Sequence, residues 1–289
     1  MGVLRGGLRP FSSALASNTV RYALLIFGGV ICFIPLGWML STSLKMPGTE
    51  FIFPPNLIPR PVVWSNYIDA VTRPGHPFFL YTRNSVVITL TATLGTVLTS
   101  SFVAFGFARI RFRGRDFWFI VLLSTLMLPD VVRLIPSFIL FRILGWIDTL
   151  LPLIVPFWFG VNAFYVFLIR QYFRTIPLEL DEAALMDGAT YVRIYWQVVL
   201  PISGPVLGAV TIFSVLSHWN DFLGPLIYTN SVDLRTLALG LRFFMSRTGT
   251  DWNQLMAASI LMLAPILALF FSMQRYFIRG IHMTGFGGR

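Results

Sequence analysis

The feature that most constrains this chain is a series of long apolar stretches that recur along it. An α-helix rises about 1.5 Å per residue, so about 20 predominantly apolar residues cross the roughly 30 Å hydrocarbon core of a bilayer. Stretches of that length lie at Val20–Thr42, Asn84–Ala108, Phe117–Pro136, Leu150–Arg170, Gly204–Tyr228 and Leu255–Ile278. They predict six membrane-spanning helices.

The overall composition also favours lipid as the solvent for this chain. Hydrophobic residues make up 56% of the sequence and charged residues 12%, and the mean hydropathy is +0.74. A water-soluble domain has about twice that share of charged residues. We therefore expect an all-α, polytopic membrane protein in which residues 1–289 form one transmembrane domain.

The net charge of +10 raises the question of a nucleic-acid partner. The basic residues are scattered among the predicted loops and form no basic face with interleaved aromatic residues, so no nucleic acid is expected. The tightest block is Arg109–Arg115, which holds four arginines, and basic residues in short loops favour the cytoplasmic side of a membrane. An even number of spans then predicts that both termini are cytoplasmic.

Few residues could carry enzymatic chemistry. The only lysine, Lys45, follows a leucine, whereas a phosphate-binding Walker loop requires a Gly-Lys pair. The single cysteine, Cys32, and the three histidines are too scattered for a metal site or a membrane-embedded acid–base site. An ion-coupled secondary carrier would place several acids on facing spans, and only Asp221 lies well inside a predicted span.

The most informative polar stretch covers residues 171–203. Four of the 12 acidic residues of the chain fall in a short part of it: Glu179, Asp181, Glu182 and Asp187. Thr175 can cap a helix, Pro177 suits its first turn, and the acids favour its positive N-terminus. Gly188 can adopt the left-handed conformation that ends a helix. The pattern predicts a short helix that ends in a turn at Gly188.

A second helix is predicted after that turn. It begins at Thr190 as the N-cap and ends before Pro201, because proline lacks a backbone donor and disfavours helix in the residue before it. The first helix is too short to be stable alone in water. The stretch is therefore a helix-turn-helix loop that needs a surface to dock against.

The loop resembles the EAA motif of permeases in binding-protein-dependent ABC importers. The matching residues, at the spacing of that motif, are Glu182-Ala183-Ala184, Gly188, Val198 and Leu200-Pro201, with Val198 where the family usually has isoleucine. The wider chain is most similar to carbohydrate-uptake permeases of the maltose-transporter type. That similarity covers Leu36–Lys45, Asn84-Ser85, Trp219–Leu223 and Gln274–Phe277. The resemblance implies the fold of a type I ABC importer permease.

The same resemblance implies an assembly and a role for this chain. The assembly contains a second, homologous permease subunit, two cytoplasmic ATPase subunits and an extracytoplasmic solute-binding protein, in the inner membrane of a bacterium or archaeon. ATP and Mg would bind the ATPase subunits, and no cofactor would bind this chain. The implied function is import of a sugar or a related polyol or sugar derivative, and a non-sugar solute is the alternative.

In that family the EAA segment is a coupling helix that sits in a cleft of an ATPase subunit. The residues implied for this contact are Glu182, Ala183, Ala184, Asp187, Gly188, Leu200 and Pro201. Small alanines allow close approach, and a carboxylate can pair with a basic group of the partner.

Polar residues at membrane depth are the candidates for a solute pathway, because such residues are costly in lipid. The candidates are Asn162, His218, Trp219, Asn220 and Asp221. Trp219 could stack on a sugar ring, or it could make helix–helix contacts as an interfacial tryptophan. Asp130 and Arg133 are weaker candidates, since residues three apart on a helix can neutralise each other.

Overall fold

The computed structural model describes residues 11–54, 56–246 and 249–285. Within those ranges the regular structure is helical apart from one short antiparallel pair, in which β1 (Met245–Ser246) pairs with β2 (Gly249–Thr250). The predicted all-α class is confirmed. The chain divides into two compact units: the first comprises the chain up to Ala70 with Phe244–Ile260, and the second comprises Val71–Phe243 and the chain from Leu261 onward.

The helices, in chain order, are α1 (Phe11–Ser43), α2 (Ser65–Thr72), α3 (Phe78–Arg109), α4 (Arg115–Ser124), α5 (Asp130–Ile143), α6 (Pro156–Phe159), α7 (Ala163–Phe173), α8 (Glu179–Met186), α9 (Tyr191–Ile194), α10 (Leu200–Ile202), α11 (Gly204–Trp219), α12 (Leu223–Tyr228), α13 (Leu237–Gly240) and α14 (Trp252–Gly285). Single 3-10 turns lie at Thr125–Met127, Leu151–Leu153, Val232–Leu234 and Leu241–Phe244, and a π-helical turn covers Tyr195–Val199.

By length and composition, four described segments can each cross a membrane: Val20–Ser43, Phe78–Arg109, Leu151–Phe173 and Trp252–Gln274. Two bent pairs raise the count to six if each pair is one span: Arg115–Met127 with Val131–Ile143, and Tyr191–Ile202 with Gly204–Trp219. The described residues therefore hold four to six candidate spans, and several of their bounds differ from the predicted ones. The side chains of Arg275–Phe277, which belong to one of the family-like segments, lie outside those that the structure describes.

Three of the predicted spans are interrupted. The third bends by 99° between α4 and α5, where Pro129 disfavours helix in the residue before it. The fourth breaks at Gly160–Asn162, between α6 and α7. The fifth was expected to continue to Tyr228, but α11 ends at Trp219 and a separate helix, α12, follows. Each interruption exposes backbone groups that a straight helix would pair internally.

In the first unit, hydrogen bonds converge on the backbone that follows α1. The Asn66 side-chain amide donates to the carbonyls of Ser43 and Lys45, at 2.9 and 2.8 Å. The amide of Asn253 donates to the same Lys45 carbonyl at 2.6 Å. Lys45 is buried, and its ammonium nitrogen lies 4.4 Å from the centroid of the Trp38 ring. The backbone and the side chain of the only lysine of the chain therefore both make contacts that stabilise the fold of this unit.

In the second unit, α3 is the central helix. It packs along α7 and α11, and no proline interrupts its 32 residues. The largest apolar core lies toward its C-terminal end, around Phe105, Ile169 and Tyr195. Because residues of the loop 171–203 belong to this core, the loop is folded against the helices that carry it.

Candidate functional site

The first helix of the loop, α8, begins later than its capping pattern predicted. Thr175 was expected to cap it, but the Thr175 hydroxyl donates to the Tyr172 carbonyl at 2.8 Å and so belongs to the end of α7. The N-cap of α8 is Leu178, which offers no side-chain bond. Glu179, Asp181 and Glu182 occupy the first turn, where negative charge is favoured by the helix dipole.

The predicted turn at Gly188 is confirmed. Gly188 has a φ of 78°, in the left-handed region that glycine adopts without a Cβ penalty. Its N–H donates to the Leu185 carbonyl at 3.0 Å, and the Ala189 N–H donates to the Ala184 carbonyl at 2.9 Å. This pair of bonds is the Schellman arrangement that closes a helix C-terminus.

The second helical segment begins as predicted and ends later than predicted. The Thr190 hydroxyl accepts from the Arg193 N–H at 3.4 Å, as an N-cap does. Pro201 was expected to end the helix before it, but α9, the π-helical turn and α10 continue to Ile202. A wider turn removes the clash between the proline ring and the carbonyl four residues earlier, so the chain stays helical past the missing donor.

One face of the loop is open to its surroundings. Glu182, Ala183, Asp187, Gly188 and Pro201 are exposed, whereas Ala184 and Leu200 are half-buried against the core. Large apolar side chains share this exposure, namely Leu178, Leu180, Met186, Tyr191, Val192 and Trp196. Met186 is 89% exposed. Exposed apolar side chains together with acids in one short segment are typical of an interaction surface.

The opposite face of α8 is anchored by an ion pair that the sequence did not reveal. Arg109 Nε lies 3.2 Å from Asp181 Oδ2, and the two side chains are only 2% and 8% exposed. Arg109 Nη2 also donates to the Ile176 carbonyl at 2.8 Å. Burial raises the pKa of the Asp181 carboxyl, and the Arg109 guanidinium opposes that shift.

A second buried polar contact anchors the other half of the loop. The Tyr195 and Ser101 hydroxyls lie 2.7 Å apart, between the π-helical turn and α3. The Tyr195 ring packs against Phe105 of the same helix. Both halves of the loop are therefore attached to α3.

Arg109, which the charge pattern had assigned to topology, and Arg170 of α7 are both buried and have structural contacts. Arg109 is paired as described, and Arg170 is buried with its guanidinium 3.9 Å from the centroid of the Phe119 ring. Arg170 Nε donates to the Phe107 carbonyl at 3.2 Å. Arg111 and Arg113 remain exposed. Charge counting treated these side chains alike because it takes no account of burial.

A cleft of about 520 Å³ lies where the three interrupted spans meet, and we call it the polar cleft because Arg133, His218 and Asp221 are among its otherwise largely apolar lining. Arg133 comes from the start of α5, Phe157 from α6, and His218 and Asp221 from the end of α11. The remaining lining residues are Leu134, Ser137, Ser217, Leu223, Gly224, Ile227 and Tyr228. Broken membrane helices commonly line solute sites, because their unpaired backbone needs polar surroundings.

His218 and Asp221 of the predicted pathway residues line this cleft, and so does Arg133, one of the two weaker candidates. The His218 ring lies 4.3 Å from the centroid of the Phe157 ring. Asp221 Oδ1 accepts from the Gly224 N–H at 3.0 Å, which stabilises the start of α12. The hydroxyl residues Ser137, Ser217 and Tyr228 also line the cleft, although no sequence pattern had singled them out.

Three other predicted residues have different surroundings. Trp219 is 4% exposed, and its indole N–H donates to the Met262 carbonyl at 3.1 Å, so it makes the helix–helix contact. Asn220 donates to the Leu216 carbonyl at 2.9 Å at the end of α11. Asn162 caps α7 by accepting from the N–H groups of Phe164 and Tyr165. The side chain of Asp130 falls outside those described.

Metal ligation has no candidate in the part of the chain that the structure describes. Over those residues, no group of three His, Cys, Asp or Glu side chains is placed to hold a metal ion.

Comparison with known proteins identifies the family. The family described as the binding-protein-dependent transport system inner membrane component matches residues 84–283. The chain belongs to this family. As a member, it is a multi-pass, membrane-embedded permease of an ABC importer, and the resemblance drawn from the EAA motif is confirmed.

Relatives of this permease family align over nearly the whole chain. The sn-glycerol-3-phosphate transport system permease protein UgpE of Yersinia enterocolitica is 35% identical over 267 residues, which cover 90% of this chain and 94% of the relative. The arabinooligosaccharides transport system permease protein AraQ of Halalkalibacterium halodurans is 34% identical over 273 residues, covering 93% and 95%.

A solved structure supports the fold of the family. It is a chain of a bacterial ABC transporter involved in the import of the acidic polysaccharide alginate, with a TM-score of 0.79 and 22% identity. The match covers 94% of this chain and 99% of that chain. The predicted importer-permease fold is thereby confirmed.

Proposed function

We propose that this permease imports a sugar or a related polyol or sugar derivative, and that the loop 171–203 couples its motion to ATP hydrolysis by partner subunits. The single observation that carries the proposal is the two-sided loop: one face is exposed and apolar, and the other is fixed to α3 by buried polar contacts. A loop of this kind can take up force from a partner and pass it to a span.

The exposed face is the proposed ATPase contact. The residues proposed for this contact are the exposed Glu182, Ala183, Asp187, Gly188 and Pro201, together with the half-buried Ala184 and Leu200. Ala183 lets a partner approach the helix backbone closely, and Glu182 is placed to pair with a basic group of the partner. Burying Met186 and Trp196 against a partner would stabilise the complex by about 25 cal/mol per Å² of apolar surface removed from water.

The proposed partners supply the functions that a permease subunit needs from other chains. ATP and Mg bind two cytoplasmic ATPase subunits, a second permease completes the membrane pathway, and an extracytoplasmic binding protein delivers the solute. In this arrangement the loop 171–203 and both termini are cytoplasmic. The chain supplies no ATPase site and binds no cofactor of its own.

The polar cleft is the proposed contribution of this chain to the solute pathway. It combines hydroxyl groups of Ser137, Ser217 and Tyr228 with the ring of Phe157. Hydroxyl-rich solutes are bound by such mixtures, because polar groups bond the hydroxyls while a ring packs on the carbon face. The relatives are permeases for sn-glycerol 3-phosphate and for arabinooligosaccharides, and both names describe polyhydroxylated solutes.

Reconstitution in proteoliposomes tests the proposal. The complete complex is loaded with ATP on the ATPase side, and sn-glycerol 3-phosphate and an arabino-oligosaccharide are supplied as probes together with the binding protein. We expect one of the two to accumulate, with ATP hydrolysis stimulated by the loaded binding protein. Uptake driven by an ion gradient without ATP would contradict the coupling, and import of an amino acid in preference to both probes would contradict the solute class.

A further inference from the structure

Helix α8 carries two neighbouring acids that face different surroundings. Glu182 is exposed, whereas Asp181 is buried within the second unit. Successive residues on an α-helix point about 100° apart, so adjacent carboxylates can serve a partner and the interior separately. The proposed coupling role assigns Glu182 to the contact with the ATPase subunit. It assigns no role to Asp181.

Asp181 is held by the last residue of α3. Arg109 Nε lies 3.2 Å from Asp181 Oδ2, and Arg109 Nη2 donates 2.8 Å to the carbonyl of Ile176, which precedes α8. The planar guanidinium thus makes one hydrogen bond, to Ile176, and one ion-pair contact, to Asp181, in which Arg109 Nε forms no hydrogen bond. Both contacts lie beside one short helix and constrain the orientation of the guanidinium more than a single ammonium contact would.

The pair is costly to separate. Neither Asp181 Oδ1 nor Arg109 Nε has a hydrogen-bond partner among the described residues, so charge pairing between Arg109 and Asp181 Oδ2, at 3.2 Å, holds this carboxylate. A buried charge that loses its partner is strongly destabilised, because neither water nor another ion compensates it. Helix α8 therefore cannot move away from the end of α3 without a large penalty, and the two elements should move together.

The other end of α3 is tied to a different loop. The Asn84 amide donates to the carbonyls of Asp233 and Arg235, at 2.7 and 3.0 Å. The Ser85 hydroxyl accepts from the Leu237 N–H at 2.8 Å. About 25 residues of uninterrupted helix separate Asn84 from Arg109, which corresponds to about 38 Å.

We propose that the Arg109–Asp181 pair is the positioning link through which α3 follows the coupling helix α8, and that α3 carries this motion to the loop 233–237 held by Asn84. The Tyr195–Ser101 contact keeps the second half of the loop in register with the same helix. This inference rests on the proposed function of α8 and adds the residues that transmit its movement.

The test measures how many ATP molecules are hydrolysed per solute imported by the reconstituted complex. Asp181→Asn and Arg109→Gln each break the link, and we expect this ratio to rise about tenfold, within the range of typical coupling between two sites. Asp181→Glu keeps the charge and should restore much of the coupling. Arg113→Gln removes an exposed arginine of the segment between α3 and α4 and should leave the ratio unchanged.

A double variant separates transmission from folding. In Arg109→Met with Asp181→Leu no buried charge is left unpaired, so the complex should assemble, since apolar replacement of a buried pair is often tolerated. Its ratio should still be raised, because apolar side chains do not fix the angle between α3 and α8. A wild-type ratio in the double variant, or in both single variants, would overturn the inference.

The same assay distinguishes this inference from the proposed function. If the wild-type complex shows neither stimulated ATP hydrolysis nor import of either probe, the proposed function is wrong. If the wild-type complex is coupled and the variants are equally coupled, only the role of the Arg109–Asp181 pair is wrong.

Discussion

Gly188 shows how a single backbone conformation can matter to the proposed coupling loop, residues 171–203. A Cβ added at Gly188 would have no atom within 4 Å, so the obstacle to substitution is its φ of 78° and not steric contact. The left-handed conformation costs a residue with a side chain about 1–2 kcal/mol, and asparagine tolerates it better than a β-branched residue does.

We therefore expect Gly188→Val to reduce transport severely while the complex still assembles in the membrane. The turn between α8 and α9 would be forced out of shape, and the exposed face would no longer match its partner. Gly188→Asn is the matched control and should retain most of the uptake. Solute uptake and co-purification of the ATPase subunits measure the two effects, and normal uptake by Gly188→Val would argue against a role for this turn.

Asp148 is a second residue whose backbone and charge act together. It has a φ of 59°, and its carboxylate accepts from the N–H groups of Asn230 and Ser231 and from the Ser231 hydroxyl. These three bonds hold the pKa of Asp148 below its ordinary value of 3.8. The carboxylate thus joins the loop before Leu151 to the loop after α12 through hydrogen bonds.

The direction of this pKa shift determines how the contribution of Asp148 to stability depends on pH. A carboxyl whose pKa is lowered by folding contributes stability that is fully present above pH 3.8 and is lost as the pH falls through the lowered pKa. We expect Asp148→Asn to melt at a lower temperature than wild type at about pH 6, and the difference to shrink as the pH falls to about 3. A difference that grows on acidification would contradict the assignment.

At the level of helices, the interruptions are what create the candidate pathway. Pro129, Asn162 and Asp221 each stand at a break, and the cleft lies among the same segments. The apolar pattern predicted that these segments lie in the membrane, but it did not show where they break. Hydropathy averages over a window and is insensitive to one capping residue.

Asn162 allows the capping and pathway roles to be separated. Removing an N-cap costs about 1 kcal/mol, and serine caps about as well as asparagine. We expect Asn162→Ala to lower the thermal stability of the complex and Asn162→Ser to leave both stability and uptake near wild type. If Asn162→Ser instead loses uptake at unchanged stability, the amide contacts the solute directly.

At the scale of the whole molecule, the orientation of the chain in the membrane can be tested by thiol labelling of variants that lack the native cysteine, Cys32. Met186 lies in the exposed face of the coupling loop, and Val232 lies in the loop tied to the far end of α3. In a Cys32→Ser background, we expect a membrane-impermeant thiol reagent added to intact spheroplasts to label Val232→Cys and to spare Met186→Cys. Permeabilised cells, in which both should react, provide the control, and the reverse pattern would invert the proposed topology.

Local features of the chain were predictable because their causes are local. Gly188 and Thr190 end and begin helices through bonds to residues three to five positions away, so sequence spacing is enough to find them. The EAA pattern and the apolar stretches are local for the same reason. Together they established the membrane class, the helix-turn-helix loop and the importer family.

The contacts that assign roles join residues that are distant in sequence. In the sequence, the charge of Arg109 was explained by membrane topology and that of Asp181 by the helix dipole. Only folding brings their side chains together in a buried pair. Trp219 could have faced a sugar or a neighbouring helix, and the packing of α11 against Met262 turned its indole away from the cleft. A hydropathy or spacing pattern describes one element at a time, whereas burial and ion pairing depend on how separate elements pack against each other.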